Sequence, residues 1–537
     1  MFEELRALGY RSLLHHSPQV NVPGTSSIAG GEDSSEGLYE LYVDSGWVVT
    51  FADGNPVRLP WGGGTGAFVD WTHPDAVAHV QGLIPRVTTL GVVGTKMDWD
   101  EYLQPNLGPA RLHMQFANGE TNLTMKSWYS ARYHAAIKEG FEQAMGEPSF
   151  QLVRHGSPRD QEWSTCVWPG DLDNDFTEHT RGPSERQREW NVGGLPAAIV
   201  ANQSLGLSGF PCFASDVGGY RNGQPTAEAL LRWMAFGVFN AVMQVGGGGR
   251  THMPWSEDTP YPLPEEGWPQ GVSSIDGMLD ITRRYFRLRM DLFPYIHNEL
   301  LAAEATGRPL VRSLWSMHPD DPEARRFERD FYFGPNMLVA PVYEQGVRER
   351  TLHLPEGEWV DLWTGERHEG PQTIVRAAPL HEIPAFLRDG AIIPLAAPDI
   401  DSLLPTTTDG IVSYADRPLT RLWVVPGRAG TLRLFNGLDV RTETDSDRFT
   451  VAVRFGPPSP SVDERIRFSP EAVEVRVETG GTTLAEGVSV RLVRDGSGVE
   501  LDPLGATGEG WTTEQDGRVV VVRVQSDATI EVTPTAR

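Results

Sequence analysis

Across its first 300 residues the chain alternates short apolar runs that end in polar residues with segments of helical period, and few folds accept that order. RSLLHHSPQV (11–20), VVGTKMDW (92–99), SFQLVRHG (149–156), STCVWPGD (164–171), GFPCFASD (209–216) and NAVMQVGG (240–247) read as buried strands. Near-continuous apolar runs of this length mark a parallel sheet, whose two faces are both covered. Between them lie helical candidates, DAVAHVQGLIPRVTTL (75–90), SARYHAAIKEGFEQAM (130–145) and TAEALLRWMAFGVFN (226–240), so βα units repeat. Polar residues gather at the C-terminal ends of many of these strands, and no Gly-rich dinucleotide loop opens the series. An α/β barrel of the TIM type is therefore expected rather than a doubly wound sheet.

Six strands are fewer than the eight of such a barrel. FEELRALGY at the start reads as the tail of a helix leading straight into a strand, so the expectation is a barrel lacking its first two βα units. LYELYVDS, GWVVTFA and GAFVDW, within 21–74, are β-like and read as an excursion hairpin rather than as the missing strands. A barrel open in this way exposes parallel edges, which an upstream fragment or a second copy of the chain would cover. After about 330 the pattern becomes strand-like with dense turns. FYFGPNMLVAPV, RTLHLPEGEWVDLWTGE and AFLRDGAIIPL read as an antiparallel β-sandwich, and RFTVAVRF, VSVRLVRDG and RVVVVRVQ as a second one. The expected division is 1–320 for the barrel, 321–400 for the proximal and 401–537 for the distal β-sandwich domain.

Charge narrows the partners. The 46 basic and 72 acidic residues give a formal charge of -26, which repels phosphate backbones and anionic membrane surfaces. No apolar run reaches bilayer length, and MFEELRALGYRS lacks the layout of a signal peptide, so a soluble, cytoplasmic protein is expected. Two cysteines, Cys166 and Cys212, cannot build a disulfide framework and read as buried free thiols. No G-x-S-x-G, H-E-x-x-H or P-loop pattern occurs, so the corresponding hydrolases and NTPases lack their residues.

Carboxylates at strand ends carry the remaining chemistry. TKMDWDEYLQP sets Asp98, Asp100 and Glu101 after one strand; STCVWPGDLDNDF leads through Trp168 and a Pro-Gly turn to Asp171, with Asp173 and Asp175 beyond as surface charge; FASDVGGY places Asp216 before a glycine pair. Carboxylates on separate barrel strands suit glycosidic bond cleavage, in which one attacks or stabilises the anomeric carbon and another protonates the leaving oxygen. The 16 tryptophans offer flat apolar surface for sugar rings, although most are expected in cores.

The succession KMDWDEYL, VRHGSPRDQEWSTCVWPGD, GLSGFPCFASDVGGY, LFPYIHNEL, GRPLVRSLW, GPNMLVAPVYEQG, WVDLWTGE and FLRDGAIIPL resembles glycoside hydrolase family 31 from near residue 1 to about 400. The resemblance implies a retaining α-glycosidase on an eight-stranded barrel with β-sandwich domains, working on a carbohydrate without cofactor or metal. It implies Asp98 as nucleophile and Asp171 as acid/base, with Arg154 closing the sugar pocket, Asp216 supporting it, Trp168 and Trp99 lining the subsite, and Glu101 in a structural role. The two carboxyls of such a pair stand about 5–5.5 Å apart, one ionised and one protonated.

The chain departs from the family pattern in three places. The family's N-terminal sandwich and first two barrel strands have no counterpart, so a non-catalytic carbohydrate-binding or vestigial role is the second reading. Where the family carries Arg-x-His, MQVGGGGRTH sets Gln244 and Gly246, with Arg250 and His252 nearby, so the sugar is left open. The segment LDNDFTEHTRGPSERQREWNVGG reads as a surface loop; as a lid, its Arg181, Arg186 and Arg188 would suit an anionic sugar such as that of the sulfoquinovose-cleaving branch.

Overall fold

The computed structural model describes the chain except 26–36, 62–63, 101–112, 126–127, 179–191, 247–267, 446–447, 461–465, 467–469, 471, 479–487, 495–496, 502–506, 509–510, 515–518 and 535–537. Two compact units emerge, Met1–Gly170 with Ser208–Phe210, and Asp171–Leu207 with Pro211–Arg537.

In the first unit Ser12–His16, Val92–Met97, Phe150–Val153 and Cys166–Val167 form a parallel sheet in that order. All four come from apolar runs that end in polar residues. The helix Phe2–Ala7 leads into the first strand. The helix Trp128–Met145 buries Tyr129, Tyr133, Ala136, Ile137, Gly140 and Phe141, a stripe at three- and four-residue spacing. Pro74–Leu83 and Pro85–Thr88 cover the helical pattern of 75–90, and each starts at a proline, where the missing N–H costs nothing.

The excursion after the first strand differs from its sequence reading in one element. Gln19–Asn21, Gly64–Phe68 and Arg58–Trp61 form a three-stranded antiparallel sheet, but LYELYVDS is the helix Leu38–Asp44. Tyr39, Leu41 and Val43 alternate, but Tyr39 and Tyr42 stand three apart and share one buried face. Glu40 closes the helix start by accepting from Gly37 N at 3.0 Å.

In the second unit Ala214–Val217 pairs in parallel with Val242–Val245. The helix Ala227–Val238 is buried on all sides, capped by the Thr226 side chain, which accepts from Ala229 N at 3.2 Å. Its Arg232 is buried too, and its two terminal nitrogens donate to the carbonyls of Val347, Ala378 and Pro379. From Val311 to Arg388, six strands form one hydrogen-bonded antiparallel ladder, in which the long hairpin of Glu349–Asp361 and Arg367–Ala377 joins through Ala385–Arg388. Tyr332, Leu338, Leu352, Trp359 and Phe386 share one buried core within it. Beyond it lie two six-stranded sheets with a Val- and Leu-rich interior, and Leu419–Val424 alternates between buried and half-buried positions. Among the described residues no helix is long and apolar enough to cross a membrane.

Both cysteines depart from expectation. Cys166 and Cys212 are each disulfide-bonded and neither is a free thiol, because spacing along a chain does not reveal which strand ends are neighbours in space.

Close strand packing sets one stability test. A Cβ at Gly94 would stand 1.9 Å from the Phe150 carbonyl oxygen, a backbone atom that cannot yield without moving the strand. Gly94→Ala is expected to destabilise the fold by about 1–3 kcal/mol or more, read as a lower midpoint in urea or thermal unfolding.

Candidate active site

Parallel register sets the ends of three strands side by side. His15 and His16 stand opposite Lys96 and Met97, and Met97 opposite Val153. The residues just past these ends therefore converge: Asp98 N donates to His16 O at 3.0 Å, and Arg154 N to Met97 O at 3.1 Å. A carboxylate buried at such an end requires donors, and among the described residues Asp98 has three. Arg154 Nη1 donates to Oδ1 at 2.8 Å, Trp99 N donates to the same oxygen at 2.8 Å, and His15 Nε2 meets Oδ2 at 3.1 Å.

These contacts decide the protonation state. Burial pushes the Asp98 carboxyl up, but the hydrogen bond from His15 and the charge and hydrogen bond of Arg154 outweigh it and hold the group below the ordinary carboxylate value. Asp98 is ionised at neutral pH. Its neighbour Trp99 takes a left-handed backbone, φ 67°, and Arg154 lies 5.5 Å from the Trp99 ring centroid. Beneath this group His16 is neutral, its pKa lowered to about 4 by burial and by His15, and it shares a 2.6 Å hydrogen bond with the Tyr133 hydroxyl.

Trp168 is buried at 1% exposure, and Lys96 Nζ lies 4.4 Å from its ring centroid. Its indole seats the lysine of the Lys-x-Asp segment, where the sequence reading had it lining a subsite. Gly170 (φ 80°) packs on Arg154: a Cβ there would stand 2.8 Å from Arg154 Nε.

The second unit holds the other predicted residues. Asp171 is half-buried in the bend that opens it. Asp216 is buried, and Gln244, opposite it in register, donates to its Oδ1. The glycine pair after Asp216 turns over the segment of Asp173; a Cβ at Gly219 would stand 2.5 Å from Asn174 Cα. Asp173, read as surface charge, is consequently buried and holds Asn222 at 2.9 Å and Arg221 at 3.6 Å. Glu101, Arg181, Arg186, Arg188, Arg250 and His252 lie outside the described residues.

Sequence reasoning missed His15 as a partner of Asp98. The only signal was the His15–His16 pair at a strand end, which reads equally well as a packed rim pair.

Comparison with known proteins agrees with this layout. Residues 1–299 match the model of the glycosyl hydrolases family 31 TIM-barrel domain, and 307–393 that of the family's C-terminal domain. A sulfoquinovosidase of Escherichia coli strain K12 is 29% identical over 365 residues, covering 66% of this chain and 48% of its own length. Alpha-glucosidase 2 of Bacillus thermoamyloliquefaciens is 26% identical over 374 residues, covering 68% and 43%. Among solved structures, a dextranase of the same family from Flavobacterium johnsoniae, complexed with glucose, shares the fold with a TM-score of 0.76 at 20% identity, over 99% of this chain and 63% of its own. The chain thus spans about half the length of the curated relatives it matches. The barrel model alone accounts for more than half of the chain, which belongs to glycosyl hydrolase family 31.

Proposed function

We propose that this chain carries the catalytic machinery of a retaining α-glycoside hydrolase, with Asp98 as nucleophile and Asp171 as acid/base. The observation that carries the reading is the Asp98 carboxylate, buried, ionised and oriented by Arg154, His15 and the Trp99 N–H. A nucleophile needs its lone pair free of a proton and its carbonyl oxygen stabilised once the ester forms. Oδ1, with a cation and a backbone donor, suits the ester carbonyl. Oδ2, held among the described residues by the half-exposed His15, is the oxygen that costs least to release for attack on C1.

Double displacement then runs in two steps. Asp98 Oδ2 bonds to C1 as the C1–O bond breaks and Asp171 gives its proton to the departing oxygen; Asp171 next takes a proton from water, which attacks C1 and returns the Asp98 carboxylate. Arg154 and Asp216 serve the sugar pocket in this reading, Trp99 borders it, and Gln244 fixes the Asp216 carboxylate. The sugar is unassigned: a sulfoquinovosidase and an α-glucosidase both stand among the relatives, so anionic and neutral substrates are the two classes to compare. The barrel, proximal and distal domains are proposed to divide near 320 and 400.

Aryl α-glycosides test the assignment. Asp98→Asn should lose on the order of 10³-fold or more in kcat with every substrate. Asp171→Ala should lose about 10²–10⁴-fold in kcat/KM with poor leaving groups and little in kcat/KM with nitrophenolates, whose departure needs no proton. A pure binding role predicts that both variants equal the parent. His15→Ala removes a hydrogen bond that stabilises the ionised carboxyl, so the acid limb of kcat/KM should move to higher pH, by up to about one unit; an unmoved limb separates His15 from the nucleophile. Gly170→Ala, at a left-handed position strained by about 1–2 kcal/mol for other residues, should displace Arg154 and lower kcat/KM roughly tenfold or more, measured beside the melting temperature.

A further inference from the structure

Two residues beyond Asp98 the chain buries a second carboxylate that the proposed reaction does not use. Asp100, with no exposed side-chain surface, lies with its Oδ2 3.4 Å from His134 Nε2. The other ring nitrogen of His134 lies 3.1 Å from Asp160 Oδ1, and these side chains too are fully buried. Behind Asp100 stands His155, its Nδ1 3.9 Å from Oδ2 and 2.8 Å from Ser130 Oγ. Tyr129 and Tyr133, on the helix that carries His134, lie in the field of Asp100 and stay neutral. Two buried carboxylates around one imidazole are tolerable only when the imidazole is charged. Burial lowers the His134 pKa, but hydrogen bonding and charge from Asp100 and Asp160 outweigh it and bring it to about 9.

The three groups belong to different pieces of the first unit. Asp100 is in the turn after the Val92–Met97 strand, His134 is on the Trp128–Met145 helix, and Asp160 opens the short helix Asp160–Glu162, where its Oδ2 accepts from Ser157 N at 2.7 Å. Between Asp98 and Asp100 sits Trp99 with φ 67°, an unfavourable conformation for an indole-bearing residue. Such strain, on the order of 1–3 kcal/mol, persists only where the surroundings fix both flanks. Arg154 and His15 fix one flank through Asp98; His134 fixes the other through Asp100.

We propose that His134, as an imidazolium held between Asp100 and Asp160, is a positioning residue that keeps the Trp99 turn in its left-handed form, so that Asp98, at the other end of that turn, stays seated on Arg154 and His15. The catalytic part of this rests on the assignment of Asp98 above. His134 touches no reacting atom and acts through the turn.

The test uses the full chain with His134→Gln, Asp100→Asn and the double variant, assayed on aryl α-glycosides at a temperature where each is folded by circular dichroism. Each single variant should lose about 10–100-fold in kcat with KM changed less than about threefold. The double variant, which replaces an ion pair by two amides, should lose less than the product of the two single losses. Unchanged kcat in folded single variants, or multiplicative losses, overturns the proposal. The folded-state pKa is raised above 6.5, so the stabilising contribution is complete below about pH 6.5 and is lost as pH rises through about 9. The parent's melting temperature should fall across that window more than that of His134→Gln; equal slopes overturn the imidazolium clamp. That melting comparison needs no turnover. An inactive parent would therefore count against Asp98 as nucleophile, while the clamp would still stand or fall on the slopes.

Discussion

A carboxylate taken out of water at the end of a parallel strand must be matched by donors and positive charge, and the Asp98 end of the first unit is organised around that requirement. The Ser12–His16 and Phe150–Val153 strands flank the one that bears Asp98. In-register pairing delivers His15 from one side and Arg154 from the other, while the turn itself supplies the Trp99 N–H. Fold and site chemistry are one constraint here: shift either neighbour by a residue and the opposite side chain faces the other surface of the sheet. Gly94, where a Cβ has no room, holds one of those registers; Gly170, packed on Arg154, keeps the guanidinium aimed at Asp98.

Strain and charge are layered around the same turn. Asp98 is partnered toward the site and Asp100 toward the core, and the unfavourable Trp99 backbone is stretched between them. The outer layer determines protonation of the attacking group. The inner layer determines where that group points. The half-exposed His15 stands apart as the cheapest donor to displace, which distinguishes the two oxygens of one carboxylate.

Much of this was legible in the sequence, for physical reasons. All six apolar runs contain parallel strands in the structure, because strands inside a covered parallel sheet are near-continuously apolar and turn polar where they leave it, as Val92–Met97 and Ala214–Val217 do. Asp98 and Asp216 were visible as carboxylates at those exits, and Arg154 through the family resemblance. LYELYVDS was misread because Tyr39, Leu41 and Val43 alternate while Tyr39 and Tyr42 also stand three apart, and only the burial of Tyr39 with Tyr42 decides between the two periods. Contacts between strands and helices were not legible at all. Nothing along the chain tells that His15 reaches Asp98 across 83 residues. Nor does it show that His134 lies between two aspartates from other segments, or that Cys166 and Cys212 are disulfide-bonded. Asp173 was taken for surface charge because the glycine turn that covers it lies more than forty residues downstream.

In the proposed reaction a buried, ionised Asp98 forms a covalent bond to the anomeric carbon of an α-glycoside. The most direct measurement is trapping with a 5-fluoro-α-glycosyl fluoride of the substrate class that proves active, with proteolysis and mass spectrometry of the labelled peptide. One glycosyl ester per chain, on Asp98, with release of an α-configured product on turnover, is the predicted result. A label on another residue, or a product of inverted configuration, would contradict the account.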